Sequence, residues 1–337
     1  MKFTVGYSQN EFFKHAVLRN LEKISEIYFP WGSFTTGRGT PPNAQFQRTM
    51  EVDLEEFVQV GLKMNLLLNG NCYGRHSQAR AFYQSIGDTA EEISERFALD
   101  SITTTSPLIA KFFKTNFPNI EVRASVNMEI SNAESMAYLA DVFDGFYVKR
   151  EFNYDISKLS QMRKWTLENN KKLYILANSG CLNFCPARTF HDNLVAHQHE
   201  IAEMDNAYEF KGLCSEFLKN EDARCDLLHR LNFIRPEDLP LYSDLCDGIK
   251  LATRTNRNPS SVIEAYCAGS FSGNALELTE PSHAGHLYPN IISNSKIPSD
   301  YAKKRLSCDK NCNECGYCKS VQKLSTINLN QTTQGII

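Results

Sequence analysis

Short apolar runs recur along the first 254 residues, and longer segments with helical spacing separate them. The runs Lys2–Ser8, Glu26–Trp31, Met64–Leu68, Ser101–Thr105, Glu121–Met128, Gly145–Arg150, Leu173–Ala177 and Gly248–Ala252 read as strands. Glu11–Lys23 reads as a helix with Phe12, Phe13, Val17, Leu18 and Leu21 on one side. Leu54–Leu62, Ser77–Phe97 and Ile156–Glu168 follow as helices. Pro107 opens another at a favoured first-turn position, and Asn132 caps one reaching Asp141. The stretch 186–245 reads as helical with loops, and Ser261 with Glu264 forms a capping box for a helix ending near Gly269. The strands are apolar runs, not clean alternations, as expected where both faces are covered.

Eight such βα units over roughly 250 residues predict an α/β fold, a (β/α)8 TIM-like barrel. The competing doubly wound sheet would carry a glycine-rich phosphate turn after its first strand, and Gly6-Tyr7-Ser8-Gln9-Asn10 is not one. The reading assigns residues 1–270 to the barrel, 271–324 to a small Cys-rich C-terminal extension with a metal or cluster loop, and 325–337 to a polar tail that frays.

Composition narrows the function. Of 337 residues 42% are hydrophobic and 22% charged, enough for a large core and against a disordered chain. Thirty-six Lys and Arg against 39 Asp and Glu leave a net charge of -3, which argues against a protein that coats nucleic acid. Lys303-Lys304-Arg305 is the one basic run that could touch RNA, and a solvated helix end explains it as well. No apolar stretch is long enough for a membrane helix, and Met1–Tyr7 has no signal-peptide character, so a cytoplasmic location is expected. Eleven cysteines in a reducing compartment point to metal binding and not to a disulfide framework.

The densest motif is Cys308-x3-Cys312-x2-Cys315-x2-Cys318, thiolates at a spacing that wraps zinc or an iron–sulfur cluster. The first three match radical-SAM spacing, but they follow the barrel and Glu314 precedes Cys315. A second pair, Cys181 and Cys185, falls at the end of the seventh strand, on the face where barrel active sites are built. Cys214 and Cys225 follow at separations that could close on the same site, with an ordinary helix position as the alternative for Cys225. Cys246 and Cys267 read as core. Cys72, at the end of the third strand, stays open between ligand, reactive thiol and neither. Arg150, Glu151, Lys250 and Arg254 lie at strand ends, where opposed charges suit anion binding or proton transfer, or a salt-bridge network that closes the barrel. His191 is the pocket histidine nearest the cysteines; His197 and His199 read as helix-surface residues. His199-Glu200-Ile201-Ala202-Glu203 lacks the second histidine of a zincin, and Gly269-Ser270-Phe271-Ser272-Gly273 is no nucleophile elbow.

Tyr147-Val148-Lys149-Arg150-Glu151-Phe152 resembles the Arg-Glu strand of the collagenase-like peptidase family U-thirty-two. Gly248-Ile249-Lys250-Leu251-Ala252-Thr253-Arg254 resembles its Phe-Lys-Ile-Glu-Gly-Arg strand, and Ala265-Tyr266 supplies the expected Ala-Tyr pair. Asn178-Ser179-Gly180 stands where the family has His-Gly, and Ala252 where it has Glu, which marks a divergent branch. The resemblance implies an iron–sulfur barrel whose 4Fe–4S cluster is held by Cys181, Cys185, Cys214 and, as a fourth ligand, Cys225. A second 4Fe–4S cluster or a zinc ion would sit at Cys308, Cys312, Cys315 and Cys318. Arg150, Lys250 and Arg254 would hold an anionic group, and Glu151 or His191 would move protons. The activity implied is oxygen-independent hydroxylation or modification of a small molecule, peptide or RNA base. An electron-donor protein and a homo- or heterodimeric partner go with it. The alternatives are a peptidase, as the family name says, or a structural iron–sulfur subunit.

Overall fold

The computed structural model describes residues 1–39, 43–312 and 314–332. Eight parallel strands close into one barrel: β1 (Phe3–Gly6), β2 (Ile24–Phe29), β3 (Lys63–Leu68), β4 (Leu99–Thr104), β5 (Glu121–Ala124), β6 (Gly145–Tyr147), β7 (Lys172–Leu176) and β8 (Gly248–Leu251). Closure is made by β1 on β8, with Phe3 opposite Ile249 and Val5 opposite Leu251. The outer helices are α1 (Glu11–Arg19), α2 (Ala44–Gln59), α3 (Arg80–Phe97), α4 (Pro107–Asn116), α5 (Ala133–Ala137) and α6 (Ile156–Glu168). The main core lies between them and the outer strand faces, where Val5, Ile27, Leu66, Ile102, Val122, Phe146, Ile175 and Ile249 are buried. The (β/α)8 architecture is therefore the one expected.

The inner face differs from expectation. It is polar, not apolar: Glu26 pairs with Arg123 at 2.7 Å and accepts from Asn65 at 3.0 Å, and Thr103 donates to Asn65 at 3.0 Å. A buried ion pair of this kind is tolerated because its remaining donors and acceptors are also satisfied. The strands read as apolar runs because their outer faces carry the signal.

Several boundaries also shift. β5 stops at Ala124 and Val126–Met128 is a tight turn; α5 ends at Ala137, short of Asp141. The helix after β8 starts earlier than the capping box predicts: Asn258, not Ser261, is its N-cap and accepts from the Ser261 amide at 3.2 Å. After β6 the chain does not stay extended, because Arg150–Phe152 makes one helical turn that buries Arg150 and Glu151.

Between β7 and β8 the chain inserts α7 (Arg188–Ala196), α8 (Gln198–Ala202), α9 (Leu213–Phe217), α10 (Glu221–Cys225) and α11 (Leu227–Arg230). After β8 come α12 (Pro259–Ala268), α13 (Ala284–Leu287), β9 (Asn290–Ile292), α14 (Tyr301–Leu306), α15 (Tyr317–Ser325) and β10 (Thr326–Asn328). The insertion and the extension share a second core, in which Leu218, Leu227, Leu228, Leu231 and Phe233 pack with Leu276, Ile292, Tyr301 and Val321. Arg305 fastens the two: it is buried, donates to the Leu231 carbonyl at 2.8 Å and stacks 4.0 Å over Tyr154. Among the described residues no helix is long and apolar enough to cross a membrane.

Candidate active site at the barrel mouth

Lys250 projects into the barrel from β8. It is 7% exposed, sits 3.8 Å over the Tyr28 ring and 5.1 Å from that of Tyr147, and has no hydrogen-bond acceptor or carboxylate partner among the described residues. Burial, reinforced by the nearby Arg254 charge, lowers its pKa to about 7. Arg254 is likewise lowered by burial, to about 10, and donates to the Thr36 hydroxyl at 3.1 Å. Arg38, in the loop after β2, pairs with the buried Glu280 at 3.0 Å; Glu280 also accepts from the Thr255 amide at 3.0 Å. Arg150 is buried against Asn127; its Nε makes no hydrogen bond and its Nη1 only a 3.6 Å approach to Glu129. Glu151 is engaged by Arg188 at 2.8 Å and by the Phe184 amide at 3.2 Å, so it is a structural clasp for the Cys181–Arg188 segment.

The Cys181 corner is shaped by glycine. A Cβ on Gly180 would lie 1.9 Å from the Pro281 carbonyl oxygen, so only glycine lets this turn lie against residues 279–281. The His283 ring donates to the Gly180 carbonyl at 2.8 Å from the other side. Cys181, Cys185 and Cys214 are each half-buried. Burial, then the neighbouring Cys181 and Cys185, push the Cys214 thiol up. Gly212, at φ +92°, brings Cys214 and His191 to the same point: a Cβ there would lie 3.5 Å from the Cys214 sulfur and 3.3 Å from the His191 ring. Against burial, which works the other way, Cys181 with nearby carboxylates holds both Arg38 and Arg188 above their ordinary range. Arg38 and Arg188 thus both lie within electrostatic reach of Cys181.

The structure therefore brings Lys250 and Arg254 together, connects Cys181 to them through Arg38, and gathers Cys185, Cys214 and His191 around Cys181. Cys225 is exposed on α10, whereas the other three thiols are half-buried. Its neighbour Asp226 acts instead on Cys312. Cys308, Cys312 and Cys315 are exposed and Cys318 half-buried; burial comes first and the neighbouring thiols next in raising Cys318. Among the described residues no three His, Cys, Asp or Glu side chains converge closely enough to share one metal ion.

One group escaped sequence reasoning. His197 is not a plain helix-surface residue: it joins α7 to α8, bonds Glu200 at 3.0 Å and faces Cys72. Cys72, His197 and Glu200 line a cavity of about 730 Å³ under the 32–35 loop. Arg38, Glu280 and Arg188 were missed as well; Arg38 lies in the loop nine residues beyond β2, and its pairing with Glu280 leaves no spacing pattern in the sequence.

No family model matches the chain. It is 27% identical over 319 residues to the "Uncharacterized protease MJ1657" of Methanocaldococcus jannaschii, spanning 90% of this chain and 89% of that protein. Its fold is similar to that of the U32 peptidase Mk0906, with a TM-score of 0.56 and 15% identity over 75% of this chain and 92% of that one. The chain resembles the collagenase-like peptidase family U-thirty-two. That resemblance is to a family of enzymes, and the barrel mouth is where its shared strand motifs meet.

Proposed function

We propose that the chain is a peptidase-like hydrolase that seats a carboxylate-bearing, peptide-like substrate in the barrel mouth. The observation that carries this reading is the set of cations there: Lys250 is buried with no carboxylate partner among the described residues, Arg254 is half-buried with one bond to the Thr36 hydroxyl, and the buried Arg150 keeps two donors unmatched among the described residues. Such donors cost free energy to bury and are matched by an anionic ligand. The names of the similar proteins supply peptide as the substrate class. The test is a mass-spectrometric screen of peptide libraries with free and amidated C-termini. Cleavage that favours free carboxylates, with KM raised at least about tenfold in Lys250→Met or Arg254→Met, is expected. Absence of cleavage, or indifference to the carboxylate, overturns it.

A second reading is favoured by the Cys181, Cys185 and Cys214 corner: an iron–sulfur enzyme that modifies a small molecule, peptide or RNA base. These three thiols fit a 4Fe–4S cluster, because they gather beside two arginines with one cluster position left for a further ligand. Cys308, Cys312, Cys315 and Cys318 would hold a second cluster or a zinc ion. A bound cluster would supply electron transfer or an open iron; this chain's own part is to bind the anionic group through Lys250 and Arg254. An electron-donor protein and a dimeric partner belong to the same reading. Anaerobic purification with iron, sulfide and zinc analysis decides it: about four irons per chain, lost in Cys181→Ser, supports the corner, and about eight adds the tail. Zinc alone, with no sulfide after reconstitution, removes this reading.

A further inference from the structure

We propose that Cys72, His197 and Glu200 form a thiol acyl-transfer centre in the cavity beside the barrel mouth. The cavity lies over the ends of β2 and β3, is walled by α2 and α3, and is roofed by the α7–α8 junction. Its roof is anchored, since the Thr35 hydroxyl donates to the Ala196 carbonyl at 2.8 Å. Three side chains of complementary role meet there. Glu200 holds the Nδ1 edge of His197 at 3.0 Å, and His197 and Cys72 line the same cavity on either side of Gly74. The Gly74 amide donates to the Cys72 sulfur at 3.4 Å. Gly74 has φ +53°, and a Cβ there would come 3.4 Å from His197 Cε1, so glycine permits both the turn and the close ring.

The order nucleophile, base and base-orienting carboxylate is what activates a thiol, whatever the fold around it. The electrostatics agree with the geometry. His197, then the Gly74 amide, lower the pKa of Cys72, while Cys72 and Glu200 raise that of His197. The other titratable groups lining the cavity are Tyr73, His76 and His199. His199 leans away towards Glu203 at 3.5 Å.

The cavity wall opposite is aromatic: Phe34 and Tyr73 both pack on Phe82. It fits an acyl group with an apolar side chain. For the amide bond itself the inference rests on the peptidase reading. In the forward step the Cys72 sulfur bonds to the carbonyl carbon, the C–N bond breaks, and the leaving amine takes the proton that His197 received from the thiol. Water then attacks the thioester carbonyl, giving a proton to His197; the C–S bond breaks, the carboxylic acid leaves, and His197 returns the proton to the Cys72 sulfur.

The experiment follows alkylation of Cys72 by iodoacetamide in the full-length reduced protein, from pH 5.5 to 10, by peptide mass spectrometry. A model thiol in the same buffer is the reference. Near pH 6.5 Cys72 is expected to react about tenfold faster than the reference, and His197→Gln to remove that advantage while rates at pH 10 converge. Glu200→Gln should do so in part. Acid quench with a cleavable peptide should trap an acyl group on Cys72. A Cys72 profile identical to the model thiol, unchanged by His197→Gln, overturns the centre; if peptide cleavage also survives Cys72→Ala, the barrel-mouth hydrolase stands without it. A His197-dependent Cys72 in a protein that cleaves no peptide keeps the activated thiol and overturns the hydrolase. His197→Asn, with melting curves for every variant, separates loss of reactivity from loss of fold.

Discussion

Replacing Lys250 by methionine should make the protein more stable near neutral pH and less able to bind its substrate. The ammonium is 7% exposed and has no carboxylate partner among the described residues. Burial and Arg254 bring its pKa from the ordinary 10.5 to about 7. At about 1.4 kcal/mol per pH unit, keeping the proton in the folded state at or below pH 7 costs about 5 kcal/mol. The Tyr28 face, 3.8 Å away, returns about 1–2 kcal/mol of cation–π attraction. A net gain of about 3 kcal/mol is therefore expected for Lys250→Met at pH 6.5. The pH dependence gives the sharper test. Below pH 7 the folded and unfolded chains both hold the proton, so the penalty counts in full. Between about 7 and 10.5 the unfolded chain holds it and the folded chain does not, so wild-type stability rises with pH. Tyr28 and Tyr147 titrate above this window, pushed up by burial. Urea denaturation of both proteins at pH 6.5, 8 and 9.5 should show the methionine advantage shrink as pH rises. An advantage that is absent at pH 6.5, or constant across the series, would refute the buried-ammonium argument.

Two further perturbations test how the site is held. Arg305→Met removes the bond to the Leu231 carbonyl at 2.8 Å and the stack on Tyr154, and should cost about 2–4 kcal/mol by urea denaturation; a neutral result would mean that apolar packing alone joins extension to insertion. Gly180→Ala puts a methyl where the Pro281 carbonyl oxygen lies at 1.9 Å, and should cost about 1–3 kcal/mol and alter Cys181 alkylation; unchanged stability and reactivity would mean that the turn yields freely.

The barrel was legible because its signal is local. Each strand's outer face is an apolar stripe, and several helices carry a local side-chain cap, such as Asn10 on α1 or Ser106 on α4. The inner face was not legible, since Glu26 and Arg123 read as ordinary surface charges until the barrel sets them 2.7 Å apart. Cys181, Cys185 and Cys214 stood out by residue type. Arg38, Arg188 and Glu280 did not, because an ion pair between distant segments leaves no spacing pattern. His197 was misread for the same reason: helix periodicity places it on a surface, while a break between α7 and α8 turns it to Cys72.

That break gives the β7–β8 insertion its place in the mechanism. It leaves the barrel through the Gly180 turn, brings Cys181 within electrostatic reach of two arginines, and is clasped by the Glu151–Arg188 pair. It then carries His191, on α7, to Cys214 and, six residues later, His197 to the Cys72 cavity. A single segment therefore contributes to both thiol centres. The barrel strands supply rigid anion-binding groups, and the insertion supplies the partners that make cysteines chemically useful. Lys250 and Arg254 belong to the rigid part. Their loss should weaken substrate binding and leave the iodoacetamide profile of Cys72 unchanged, whereas His197→Gln should do the reverse. If both variants moved both readouts, the mouth and the cavity would be one site and not two.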